Sequence, residues 1–182
     1  RREARRADPN LRTTAPTISV RWELTGASLA MPHMPATGVS GVDLYRRAAD
    51  GSWQLVQNGR PAHQSGNLMT ASLPAGPSGG TECMLYLPLY HGAKRVESGV
   101  PAGSVIEKPS PRPAEKQGAI VYYGTSIAQG GCASRPGMAY IAMLGRMLDR
   151  PMINLGFSGA GRMEPAVSEF LAELDPPLSV ID

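Results

Sequence analysis

The feature that most constrains this chain is a change of pattern across one proline-rich stretch, KPSPRPAEKQG (Lys108 to Gly118). Before it the sequence reads as short strands broken by turns. TISVRWEL (Thr17 to Leu24) alternates in character with period two, as a half-buried strand does. GVDLYRR (Gly41 to Arg47) and SWQLV (Ser52 to Val56) flank Asp50-Gly51, a hairpin signal. NLMTASLP, TECMLYLPLY and RVESGV continue the pattern between clusters such as PAGPSGG. After the stretch, AIVYYG (Ala119 to Gly124) is a continuous apolar run, as in a buried parallel strand. PGMAYIAMLGRMLDR (Pro136 to Arg150) carries Met138, Ile141, Leu144 and Leu148 at helical spacing. PMINLG, EPAVSEFLAEL and PPLSVID then read as strand, helix and strand. The expectation is an α/β chain: an N-terminal β-sandwich followed by the opening of a parallel α/β sheet. Its parts are a tail (1–16), a sandwich (17–107), a linker (108–117) and an α/β portion (118–182).

Composition narrows the function. Hydrophobic residues at 42% and charged residues at 18% fit a globular protein rather than a disordered one. The net charge is +3, but four arginines fall in the first six residues, and RREARR reads as a solvated terminus. The remainder is close to neutral, so no nucleic-acid partner is expected. No apolar run reaches eighteen residues, so no membrane span is expected. Cys83 and Cys132 lack metal-ligand spacing, and two thiols or one disulfide both remain open. Neither a metal nor a cofactor is called for. The chain starts without a Met and stops on the apolar run LSVID, so it is expected to be a piece of a longer protein.

Two turns could carry chemistry. Gly124-Thr125-Ser126-Ile127 follows a buried strand, and sites in open α/β sheets form at the carboxyl ends of strands. A serine there can present its hydroxyl to a crevice and its N–H to a developing oxyanion. The plain alternative is an ordinary Gly-Thr-Ser turn. NLGFSGAG (Asn154 to Gly161) follows the next strand, and its glycines imply a backbone that comes close to something. The glycine order is wrong for a dinucleotide loop, and no G-K-S/T marks a P-loop. A second oxyanion donor beside the serine turn is the other reading.

YGTSIAQGG resembles the first conserved block of SGNH/GDSL hydrolases, with Thr125 where many members have Asp. NLGFSGAG resembles their second block, in which a glycine supplies an oxyanion N–H; by position it is Gly159. MPHMPATGVSGVDLYRR resembles the GxDLY module, a β-sandwich preceding one branch of these enzymes, and LYLPLY and GGCASRPGMAY fit the same branch. The resemblance runs from about Thr17 to Asp182. It implies a jelly-roll-like sandwich followed by the first half of a flavodoxin-like domain. It also implies a serine esterase with nucleophile Ser126, an oxyanion hole using Gly159, and no cofactor. The family's asparagine, aspartate and histidine stand in later blocks, and no Asp-x-x-His occurs here, so the chain alone is expected to be inactive. The implied partner is a small-molecule or glycan ester, and an extracellular or periplasmic location is inherited from the family. A carbohydrate-binding protein with a degenerate SGNH portion is the rival reading.

Other candidates receive plainer expectations. His33, in MPHMPATG, is expected to be structural, and His63 and His91 to be surface loop residues. Arg135 could reach the crevice, but an exposed arginine is the simpler expectation. Cys132 is expected to serve packing, and Met31, Met34, Met138, Met143 and Met147 to fill the core.

Overall fold

The computed structural model describes residues 3–6, 10–74 and 79–182, with backbone alone for 3–6. The chain divides into two units, Arg1–Ser110 with Ser134–Pro136, and Pro111–Ala133 with Gly137–Asp182. The turn cluster expected over 74–80 falls largely outside the described residues, as do Arg1 and Arg2.

The first unit contains β1 (Glu3–Arg6), β2 (Asn10–Thr13), β3 (Thr17–Leu24), the single turn α1 (Ala36–Val39), β4 (Val42–Arg47), β5 (Trp53–Gly59), β6 (Asn67–Ser72), β7 (Thr81–Tyr86), β8 (Ala93–Val100) and β9 (Ile106–Glu107). Its strands form two sheets, ordered β1-β8-β3-β6 and β5-β4-β7-β2-β9. Every pairing in them is antiparallel. The period-two reading of Thr17–Leu24 holds for its apolar face, although Ser19 on the other face is buried as well. Ile18, Val20, Trp22 and Leu24 turn inward and meet Val42, Leu44, Met69, Ala71, Cys83 and Leu85 in one shared core. The Asp50-Gly51 hairpin also forms: Gly51 takes φ +83°, and the Asp50 carboxylate accepts the Ser52 N–H and Oγ–H at 2.9 and 2.6 Å.

The expected tail is a correction. Glu3–Arg6 pairs with Glu97–Val100 of β8, and Asn10–Thr13 lies between β7 and β9. Leu11 and Thr13 are buried, and the Thr13 hydroxyl donates to the Val105 carbonyl at 2.7 Å. Strands of four residues are too short to show a period, but their backbone groups still find partners in a sheet.

The second unit contains α2 (Ala114–Gln117), β10 (Ile120–Gly124), α3 (Ser126–Gln129), a 3-10 turn at Pro136–Met138, α4 (Tyr140–Leu148), β11 (Met152–Gly156), α5 (Pro165–Glu173) and β12 (Leu178–Ile181). The expected linker thus ends in one helical turn. The sheet is parallel and ordered β11-β10-β12. Val121 and Tyr123 of β10 are buried with Ala128 and Ile141.

The expected helix starts late, at Tyr140, because Pro136–Met138 winds as a 3-10 turn and Ala139 is extended. Its buried residues are Ile141 and Gly145, where a β-carbon would come within 2.7 Å of Met152 Cγ. Met138, Met143, Met147 and Leu148 are exposed, so three of the methionines expected in the core lie on the surface; Met34 is buried. Both cysteines are free thiols. Burial pushes the Cys83 thiol up to about 12, with Glu82 adding to the effect, so it stays protonated at neutral pH. Cys132, expected to pack, is instead exposed with φ +64°. No helix of the described residues is long and apolar enough to cross a membrane.

Candidate active site

The strand order places a topological switch at β10. The chain leaves β10 for β11 on one side and later enters β12 on the other. Crevices for ligands form at the carboxyl end of such a strand. Thr125 follows β10 directly, and Ser126, half-buried, opens α3.

The turns after β10 and β11 are stapled together. Phe157 N–H donates to the Gly124 carbonyl at 2.9 Å. Ser158 N–H donates to Gln129 Oε1 at 2.7 Å. Asn154 Nδ2 donates to the Ala128 carbonyl at 2.9 Å, while its Oδ1 accepts the Gly156 N–H at 2.8 Å. Two glycines explain how closely the backbones approach. A β-carbon on Gly156 would overlap the backbone of Ala128 and Gln129, and one on Gly161 would sit 2.6 Å from the Gly124 oxygen. Gly161 also holds φ +80°. Gly159 is exposed at φ +73° with nothing within 4 Å of its β-carbon position, so its need for glycine is conformational rather than steric.

The far end of the second loop hangs on Tyr123. Its hydroxyl accepts the Met163 N–H at 2.7 Å and lies 3.2 Å from Glu164 Oε2. Glu164's carboxyl is held below its ordinary value chiefly by its own backbone N–H, with the Arg162 N–H, the Tyr123 hydroxyl and the Arg162 charge adding to the effect against the desolvation that raises it. A cavity of about 400 Å³ opens between α5 and the sheet, lined by residues including Val121, Leu171 and Val180. Neither Ser126 nor Gly159 lines it, whereas Tyr123 and Met163 at the far end of the second loop do.

In the first unit, the Asp43 side chain is fully buried, yet it meets a cation. Arg135 Nη1 donates to Asp43 Oδ2 and to the Tyr45 hydroxyl, both at 2.7 Å. The Arg135 guanidinium carbon lies 5.8 Å from the Tyr45 ring centroid. Asn58 Nδ2 satisfies the other Asp43 oxygen at 2.8 Å. Burial works against the Arg135 charge, but the bonds to Tyr45 and Asp43 outweigh it, and the pKa lies above the usual arginine value.

Two family models match the chain. The GxDLY model, the N-terminus of SGNH-hydrolase-type esterases, matches residues 10–106. The GDSL-like lipase/acylhydrolase model matches residues 117–182. The chain belongs to the SGNH/GDSL hydrolase family.

A candidate GDSL-like lipase from Bacteroides ovatus is similar at 37% identity and a TM-score of 0.82, over 95% of this chain and 49% of that one. A salicylyl-acyltransferase from a tetracycline biosynthetic pathway shares the fold at 20% identity and a TM-score of 0.72, over 94% of this chain and 46% of its own. The chain therefore spans about half the length of these solved structures. No curated protein matches it.

Asp43 and Tyr45 are the Asp and Tyr of the GVDLY run of this GDSL-family chain, and they receive the guanidinium expected to be exposed. The expectation for Arg135 is thus overturned: its partners lie about ninety positions earlier, where no local pattern can register them. Asn154 and Gln129 were likewise missed as staples; a polar Asn inside the otherwise apolar run MINLG was the available signal. His63 is exposed, as expected. His91, expected in a surface loop, is half-buried with Nδ1 2.8 Å from Ser40 Oγ, which also donates to the Leu29 carbonyl at 2.8 Å. That serine is fully buried and cannot meet a substrate. His33 stands exposed at the tip of the Met31–Met34 turn, and no hydrogen bond of its ring is seen among the described residues.

Proposed function

We propose that the whole protein is a serine ester hydrolase in which Ser126 is the nucleophile and the N–H groups of Ser126 and Gly159 stabilise the oxyanion. The observation that carries the reading is the stapling of the two turns at the switch-point strand, through Phe157 N–H to Gly124 and Ser158 N–H to Gln129. A rigid pair of turns at that place can hold a hydroxyl and backbone donors in a fixed relation, which transition-state stabilisation requires. The Ser126 hydroxyl attacks the ester carbonyl carbon, its proton passes to a histidine base, and the alcohol leaves with a proton returned by that base. Water then repeats the sequence on the acyl-enzyme and releases the acid. The three histidines of this chain all belong to the first unit, and the base is assigned to the half of the relatives' length that this chain does not span. The substrate is a small acyl ester, with acetylated carbohydrate as the first class to assay, and the protein acts outside the cytoplasm.

The test is hydrolysis of an activated acetate ester by the whole protein and by its Ser126→Ala variant. Loss of a nucleophile of this kind lowers kcat by about 10⁴-fold or more. Turnover retained in the folded variant would remove Ser126 from the mechanism.

A further inference from the structure

We propose that Arg135 is a positioning residue for the Ser126 turn, and that Asp43 and Tyr45 of the GVDLY run form the socket that holds it. The inference rests on the reading of Ser126 as nucleophile. Its starting point is a carboxylate with 0% of its surface exposed, which accepts hydrogen bonds from Asn58 and from the charged Arg135 among its partners. Burying a carboxylate is costly unless it is paired, so a neutral or apolar residue would serve a sandwich core better. A buried Asp that receives a cation from another part of the chain is instead a specific receptor. The tyrosine completes it by offering its hydroxyl to the same nitrogen and its ring to the guanidinium.

What the socket holds is a short segment, Ser134–Pro136, which groups with the first unit although the residues on either side belong to the second. A second bond fixes the same segment: Thr37 Oγ1 donates to the Ser134 carbonyl at 2.6 Å. The segment ends the loop that opens at Ser126. Along that loop Gly131 and Gly130 N–H donate to the Ser126 carbonyl at 2.7 and 3.2 Å, and Ala133 N–H donates to the Gly130 carbonyl at 3.1 Å. Backbone bonds thus run from the serine to within two residues of the arginine. Arginine suits the task because its charge persists at any working pH and its planar group is pre-organised for two acceptors. Residues from two quoted runs, MPATGVSGVDLY and GGCASRPG, therefore share one purpose, which is to hold the end of the nucleophile loop.

The experiment uses the whole protein with Arg135→Ala, Tyr45→Phe and the double variant Asp43→Asn/Arg135→Ala, which leaves no unpaired buried charge should the single change fail to fold. Three quantities are read: kcat and KM for an activated acetate ester, the rate of fluorophosphonate labelling, and amide exchange across the molecule. The expected result is a loss of at least about tenfold in kcat and labelling rate with KM little changed, since misplacement by 1 Å can cost about 10²-fold. Exchange should quicken over residues 125–133 and stay unchanged in β3 and β4. Tyr45→Phe should show the same pattern more weakly. Wild-type labelling in the arginine variants, or faster exchange spread through β3 and β4, would overturn the inference and leave Arg135 as a neutraliser of Asp43. If the wild type itself neither hydrolyses the ester nor takes the label, the reading of Ser126 falls, and exchange over 125–133 alone decides whether Arg135 orders that loop.

Discussion

The two units bury their apolar residues in opposite manners. In the first, two antiparallel sheets face each other, and one face of every central strand contributes to a common core. Trp22 is 0% exposed, with its indole N–H donating to the Ser40 carbonyl at 3.1 Å. In the second, burial concentrates on β10, while Phe170 of α5 is 65% exposed, Ile181 of β12 63% and Met147 of α4 78%. A parallel sheet is normally covered on both faces, and this chain spans about half the length of its solved relatives, so the cover seen here is that of these 182 residues alone. The sandwich therefore builds a core from its own residues, whereas the α/β residues present here are tied by stapled loops and by packing around β10.

Paired substitutions break this comparison most directly. Trp22→Ala should cost about 3–5 kcal/mol, the range for large aromatic truncations in a core. In the 182-residue chain, Phe170→Ala should fall within about 0.5 kcal/mol, as exposed substitutions do. Urea unfolding midpoints measure both. Similar losses at the two sites would mean that α5 is packed in solution and that the contrast between the units is overstated.

A second pair sharpens the account of the stapled loops. Gly161→Ala combines a left-handed φ with a β-carbon 2.6 Å from the Gly124 oxygen. It should cost about 2–4 kcal/mol, from the conformational penalty and overpacking together. Gly159→Ala meets no neighbour and should cost about 1–2 kcal/mol through φ alone. Its N–H persists, so ester hydrolysis should suffer less there than at Gly161. The reverse order would mean that a methyl group at Gly159 crowds the substrate held beside its N–H.

How much of this was legible depends on the range of the interaction. Ile18 to Leu24 reveal their strand because packing against a sheet repeats every two residues, and the repeat is written locally. Asp50-Gly51 is legible for the same reason, since the turn needs one φ that glycine adopts freely. Met138 misled because its spacing fits a helix, while the chain around Pro136 winds more tightly and leaves its side chain exposed. Asn10–Thr13 was hidden because its partners, β7 and β9, come some seventy to ninety residues later. The Arg135 socket was hidden in the same way. For the candidate site, the serine and glycine turns could be read as turns, but their stapling by Asn154 and Gln129 could not. A side-chain amide bonding to a distant carbonyl leaves no periodic trace.

The smallest expected effect concerns the end of the second loop and tests whether hydrogen bonds carry its order. Glu164 Oε2 accepts the Arg162 N–H at 3.3 Å and lies 3.2 Å from the Tyr123 hydroxyl, which in turn accepts the Met163 N–H. These donors favour the ionised carboxylate and lower its pKa from the ordinary value, chiefly through the residue's own backbone N–H. A group whose folded pKa is depressed stabilises the folded form above its unfolded value, about 4.3 for glutamate, and loses that contribution as the pH falls through the folded value. Order over 162–164 should therefore be full at neutral pH and weaken only below about pH 4.3. Because the carboxylate is exposed, solvent screens it and the change should be small. Amide exchange of Arg162 and Met163, taken as the ratio of wild type to Glu164→Gln at each pH, isolates it from the intrinsic pH dependence of exchange. Glutamine keeps an acceptor oxygen and cannot titrate, so the ratio should be constant at neutral pH and drift toward faster wild-type exchange in acid. A flat ratio down to pH 3 would assign the order of this loop to Tyr123 and the backbone alone.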